Sequence, residues 1–90
     1  KVFDTNFHNN LRILDLSNNL LEEIICLENR FSSLETLLLN NNPNLKSFPK
    51  ELISNIQDLV LIDIRNTNLD KDFLDFLIEY CKNYNIELVK

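Results

Sequence analysis

Residues 37–49 read LLLNNNPNLKSFP. Three leucines run directly into three asparagines, and a proline follows inside apolar sequence. Leucine runs are usually buried and asparagine runs solvated. At this junction one of Asn40, Asn41 and Asn42 falls on the apolar side. The identity of that residue decides what kind of chain this is.

The 90 residues contain 15 asparagines and no glycine. Asparagine is the next-best residue for left-handed backbone, because its short amide bonds locally, so it takes over the turns. Its clusters fall at 9–10, 18–19, 40–44, 66–68 and 83–85, and from the second onward they recur every 22 to 26 residues or so. Such a period points to an internal repeat. Aligned on the clusters, three segments emerge: LRILDLSNNLLEEI (Leu11–Ile24), LETLLLNNNPNLKSF (Leu34–Phe48) and LVLIDIRNTNL (Leu59–Leu69). Each reads apolar, two variable, apolar, one variable, apolar, two variable, then Asn or Thr. The starts lie 23 and 25 residues apart.

This pattern, LxxLxLxxN followed by an apolar residue, resembles the leucine-rich repeat family over residues 11 to 90 or so. The first two copies carry the strand-and-asparagine motif in full. The third has Thr67 where the family has Asn, and the second gains one residue at Pro43–Asn44. The resemblance implies an α/β solenoid with a short parallel sheet on its concave face and irregular or helical returns on the convex face. One domain is expected, with a partial repeat at 1–10, repeats starting near 11, 34 and 59, and a terminal strand near 85–89 with Ile86 and Leu88 facing inward. Phe3 and Phe7 are expected to pack under the first strand. With neither an initiator Met nor a visible signal peptide at Lys1, the chain reads as a fragment of a larger protein or a processed product.

Elementary packing supports the same arrangement. Side chains alternate along a strand, so Leu14 and Leu16 point one way and Asp15 the other. One short strand cannot bury its apolar row alone, but strands stacked at about 4.8 Å form a continuous core. In the opening stretch, Leu37 and Leu39 then face the core and Leu38 faces out. Asn42 is the buried amide, aligned with Asn19 and Thr67 in a structural ladder. Asn41 is expected to be a bystander, nearly neutral to substitution. Phe31, Leu52 and Ile56 anchor the returns, and helical spacing of Phe73, Leu77, Tyr80 or Cys81, and Tyr84 predicts a helix over 71–83 with Asp70 as N-cap.

Chemistry is harder to find. His8 is the lone histidine, and neither a nucleophile elbow, a phosphate-cradling loop nor a zinc-protease motif is present, so no catalytic residues, metal ligands or cofactor site are assigned and the chain reads as non-enzymatic. The acidic pairs Glu22–Glu23 and Asp70–Asp72 read as surface and helix-start charge. Cys26 and Cys81 lie in returns two repeats apart, beyond the roughly 7 Å reach of a disulfide, and read as buried reduced thiols. A net charge of −5 opposes binding to nucleic acid or to an anionic membrane surface. No apolar run approaches the roughly 20 residues that span a bilayer. The lack of an N-glycosylation sequon favours an intracellular setting, and a monomer is expected.

The remaining candidate surface is the outward side of the strands, where proteins of the resembled family hold protein or peptide partners. Its columns read Ile13–Thr36–Leu61–Asn85, Asp15–Leu38–Asp63–Glu87 and Ser17–Asn40–Arg65–Val89, flanked by Arg12, Glu35, Val60 and Tyr84. Acidic residues around Ile13, Leu38 and Leu61 suit a partner carrying basic and apolar side chains. The competing expectation is a scaffold segment of an effector, ligase or receptor with no site of its own.

Overall fold

The computed structural model describes residues 2–4, 11–25, 33–54 and 56–90. Four short strands, β2 (Ile13–Asp15), β4 (Thr36–Leu38), β5 (Leu61–Asp63) and β6 (Glu87–Val89), form one parallel sheet in the order β2-β4-β5-β6. A second, two-stranded parallel sheet joins β1 (Val2–Asp4) to β3 (Glu23–Ile25). Two helices complete the chain, the single turn α1 (Glu51–Ser54) and α2 (Lys71–Asn83). This is a small α/β fold, and α2 has the bounds that its apolar spacing predicts.

Each strand contributes one central apolar side chain to the interior. Leu14, Leu37 and Ile62 are directly opposite one another in the parallel register and are buried, with Leu88 next in line and partly buried. Leu52 and Ile53 of α1 and Leu77 and Cys81 of α2 belong to the same cluster. The core therefore lies between the sheet and the helices, and the other sheet face is left open. Full burial of a leucine contributes roughly 1.5–3 kcal/mol. Leu34, Leu37, Leu39, Leu45 and Leu77 have no exposed surface, and each makes a contribution of that order.

The turns after β2, β4 and β5 are built alike. Asn18, Asn41 and Asn66 all adopt positive φ, at 58°, 62° and 57°, the left-handed region that asparagine tolerates without glycine's flexibility. The residue after each makes the same bond back three positions: Asn19 Nδ2 to Leu16 O at 3.0 Å, Asn42 Nδ2 to Leu39 O at 2.9 Å, and Thr67 Oγ1 to Ile64 O at 2.7 Å. Asn42 does more. Its Nδ2 also donates to Leu16 O at 2.9 Å, and its Oδ1 accepts from Leu21 N–H at 3.0 Å. It is fully buried, and it satisfies backbone of both its own turn and the preceding one. After it, Leu45 N–H donates to Asn42 O at 3.1 Å. That tight turn places Pro43 where its fixed φ fits and returns Leu45 to the core.

Asn41 is no bystander. Its Nδ2 donates to Asn18 Oδ1 at 2.7 Å, and its Oδ1 accepts from Asn66 Nδ2 at 2.6 Å. A second, exposed ladder thus runs beside the buried one.

The fourth strand departs from the expected register. Glu87, not Asn85, pairs with Leu61, and Val89, not Glu87, pairs with Asp63. The end of α2 explains the two-residue shift. Tyr84 caps the helix, Asn85 takes φ 57°, and Ile86 N–H donates to Cys81 O at 2.8 Å. This is a Schellman closure with asparagine in glycine's place. It occupies residues that a uniform period assigns to the strand. At the other end, Asp70 holds the N-cap position but makes no side-chain cap bond, and its carbonyl accepts from Leu74 N–H at 2.8 Å.

β1 and β3 pair with Val2 opposite Glu23, a short sheet that the repeat pattern does not anticipate. The side chain of Phe3, and Phe7, Phe31 and Cys26, lie outside the described residues.

Candidate functional site

On the open sheet face the columns run Ile13–Thr36–Leu61–Glu87 and Asp15–Leu38–Asp63–Val89, with Ser17, Asn40 and Arg65 following. The structure brings together all ten of the residues expected here, with Glu87 moved from the acidic column to a place beside Leu61. Ile13 is 59% exposed, and Val60, one residue ahead of β5, is 57% exposed. Thr36, Leu38 and Leu61 are half-buried. Each of three strands thus contributes an apolar side chain to this face, Ile13, Leu38 and Leu61, with Thr36 between Ile13 and Leu61.

The acidic column is less available than alternation suggests. Asp63 points to the open face yet is buried, because Arg65, two residues on, lies over it. Arg65 Nη2 reaches Asp63 Oδ2 at 2.7 Å and Arg65 Nε reaches Oδ1 at 3.0 Å, while the Arg65 backbone N–H donates to Oδ1 at 3.1 Å. These bonds hold the Asp63 carboxyl below its usual range against the opposing effect of burial, and they raise the Arg65 guanidinium. Asp15 has a lighter version of the same device. Both the Ser17 hydroxyl and its backbone N–H donate to Asp15 Oδ1, which lowers that carboxyl also. Leu38 sits between the two occupied carboxylates.

Arg12 and Glu35 approach at 3.8 Å, an exposed pair of small energetic weight. Among the described residues, Asp15 and Glu87 are the two carboxylates of this face with no basic side chain in ion-pair distance. They lie at opposite sides of the sheet, on β2 and β6, with the apolar surface between them. The face is an apolar strip with a carboxylate at each end.

No group of three or more His, Cys, Asp or Glu among the described residues is placed to hold a metal ion. None of their helices is long and apolar enough to cross a membrane.

Two features were not anticipated from sequence. One is the exposed Asn18–Asn41–Asn66 ladder, whose only signal is an asparagine at the same offset in each copy. The other is a row of rings on the far side of the molecule: Phe48, Phe73, Phe76, Tyr80 and Tyr84, with successive centroids 4.6–5.8 Å apart. The helical spacing read as core cover takes in Phe73, Tyr80 and Tyr84 but neither Phe48 nor Phe76.

Comparison of the chain with protein-family models, with curated proteins and with solved structures finds no match.

Proposed function

We propose that this chain is an interaction module of the leucine-rich repeat kind, and that a protein or peptide lies across its open sheet face. The observation that carries the reading is the apolar strip itself: Ile13 and Val60 more than half exposed beside half-buried Leu38 and Leu61, with no described element covering them. Exposed apolar surface with a polar rim is characteristic of binding surfaces. The three similar turns, each with an asparagine at positive φ, and the parallel register of the strands support the repeat assignment. A partner with apolar side chains along the strip and a basic residue at either end would meet Asp15 and Glu87.

The test compares the natural chain with Ile13→Glu and Leu38→Glu in capture and titration of partners. Loss of about tenfold or more in affinity, with an unchanged thermal midpoint, supports the face. A partner that ignores both substitutions binds elsewhere.

A second reading is favoured by the sheet edges. Among the described residues neither β2 nor β6 has a further neighbour, and edges of this kind suit additional units of the same pattern. In that reading the chain is a segment of a larger solenoid without a partner of its own. Both substitutions would then leave every affinity of the larger protein unchanged.

A further inference from the structure

The ring row along α2 is half committed to the core and half free. At its inner end Phe48 is buried and meets Phe73 edge-on, with centroids 4.8 Å apart at 75°. At its outer end Tyr84 is 65% exposed and lies over Tyr80, centroids 4.6 Å apart. The Tyr80 hydroxyl donates to Ile53 O at 3.2 Å. That bond holds its ring in place, so the outer pair presents a preorganised surface.

Midway along the row, Lys50 places its ammonium 4.3 Å from the Phe76 ring centroid. The row therefore already holds one cation from its own chain, by attraction to the negative ring face. The outer pair offers the same ring chemistry together with a carboxylate: Glu79 and Asn83 line one cleft with Phe76, Tyr80 and Tyr84. A second cleft continues from the two tyrosines toward Ser54 and Gln57. Among the described residues no basic side chain pairs with Glu79.

We propose that the Tyr80–Tyr84 pair, with Glu79, is a second recognition surface that takes a basic side chain, arginine above lysine, from an extended segment of a partner protein. A guanidinium stacks flat on the exposed ring while its N–H groups donate to the Glu79 carboxylate, a combination that a point-like ammonium matches less well. The clefts are shallow and open, so they do not enclose a small molecule as ligand cavities do. A side chain delivered by a larger partner needs no such enclosure. The acidic net charge of −5 works against nucleic acid as the source of the contact. This surface is built on α2 and its C-cap, where Tyr84, expected as a flank of the sheet columns, stacks on Tyr80, and it does not depend on the sheet face binding anything.

The test is a titration of the isotope-labelled chain with N-acetyl-arginine-N-methylamide and with its neutral isostere, the citrulline derivative, followed by amide and aromatic NMR shifts. Saturable shifts are expected at Glu79, Asn83 and Tyr84, about fivefold weaker with citrulline. Tyr84→Leu, which keeps the apolar contact but removes the ring face, and Glu79→Gln should each weaken the arginine response by a similar factor. Both sites are exposed, and an unchanged thermal midpoint verifies the fold. Equal responses to arginine and citrulline overturn the proposal. So do shifts spread equally over Asp15 and Glu87, and so does the absence of any saturable shift.

Discussion

The Asn41 side chain reaches 23 residues back along the chain and donates to Asn18 Oδ1 at 2.7 Å. Together with the bond it accepts from Asn66 and its φ of 62°, this gives a half-buried turn residue three structural duties. Asn41→Ala should destabilise by about 1–2 kcal/mol, combining left-handed strain with two lost surface hydrogen bonds. Asn41→Gly should recover the backbone part alone. Urea unfolding of the pair separates the two contributions, and a neutral Asn41→Ala would show that the ladder contributes nothing.

Asn42→Ala should cost more, about 2–4 kcal/mol, because Leu21 N–H and the Leu39 carbonyl lose their partner away from water and the Leu16 carbonyl keeps only Asn19. Asn42→Thr copies the residue at 67 and should fall between, since a hydroxyl can keep the bond to Leu39 but not reach Leu21 as well. Amide exchange at Leu21 should accelerate in both variants. Slow exchange there would contradict the assigned bond.

Acid should weaken the fold partly through Asp63. Its carboxyl titrates below the usual range in the folded chain, chiefly through the Arg65 side-chain bonds. The resulting stability is fully present above the ordinary aspartate value of about 4 and is lost as pH falls through the folded value. The thermal midpoint should therefore drop as pH falls below about 4, and Asp63→Asn should flatten that drop. An unchanged acid slope in Asp63→Asn would remove Asp63 from the account.

Cys81 is buried and carries a free thiol, which burial shifts away from the reactive thiolate. In a Cys26→Ser background at pH 8, iodoacetamide should label it at least about 100-fold more slowly than in urea. Rapid native labelling would mean that the helix opens readily.

Much of this architecture was legible because it rests on local pattern. Each LxxLxL segment places one leucine or isoleucine at the strand centre, and Leu14, Leu37 and Ile62 meet in register for that reason. The helix was equally clear from its apolar spacing. The fourth strand was misplaced by two residues because a period carries no knowledge of how a helix ends, and Asn85 serves the helix rather than the strand. Asp63 was assigned to the correct face but not to the correct environment. Alternation says which way a side chain points, whereas its cover comes from the length and charge of Arg65, two positions later. The outer asparagine ladder was hidden by the same logic: exposure suggested idleness, but residues stacked at a fixed offset find one another across the turns.

That outer ladder also has a direction. Asn66 donates to Asn41 and Asn41 donates to Asn18, so the amide dipoles line up head to tail and reinforce one another. One end of the row offers an N–H and the other a carbonyl oxygen. At the Asn18 end the amide N–H turns to Ser17 Oγ at 3.4 Å, so the row closes on its own turn there.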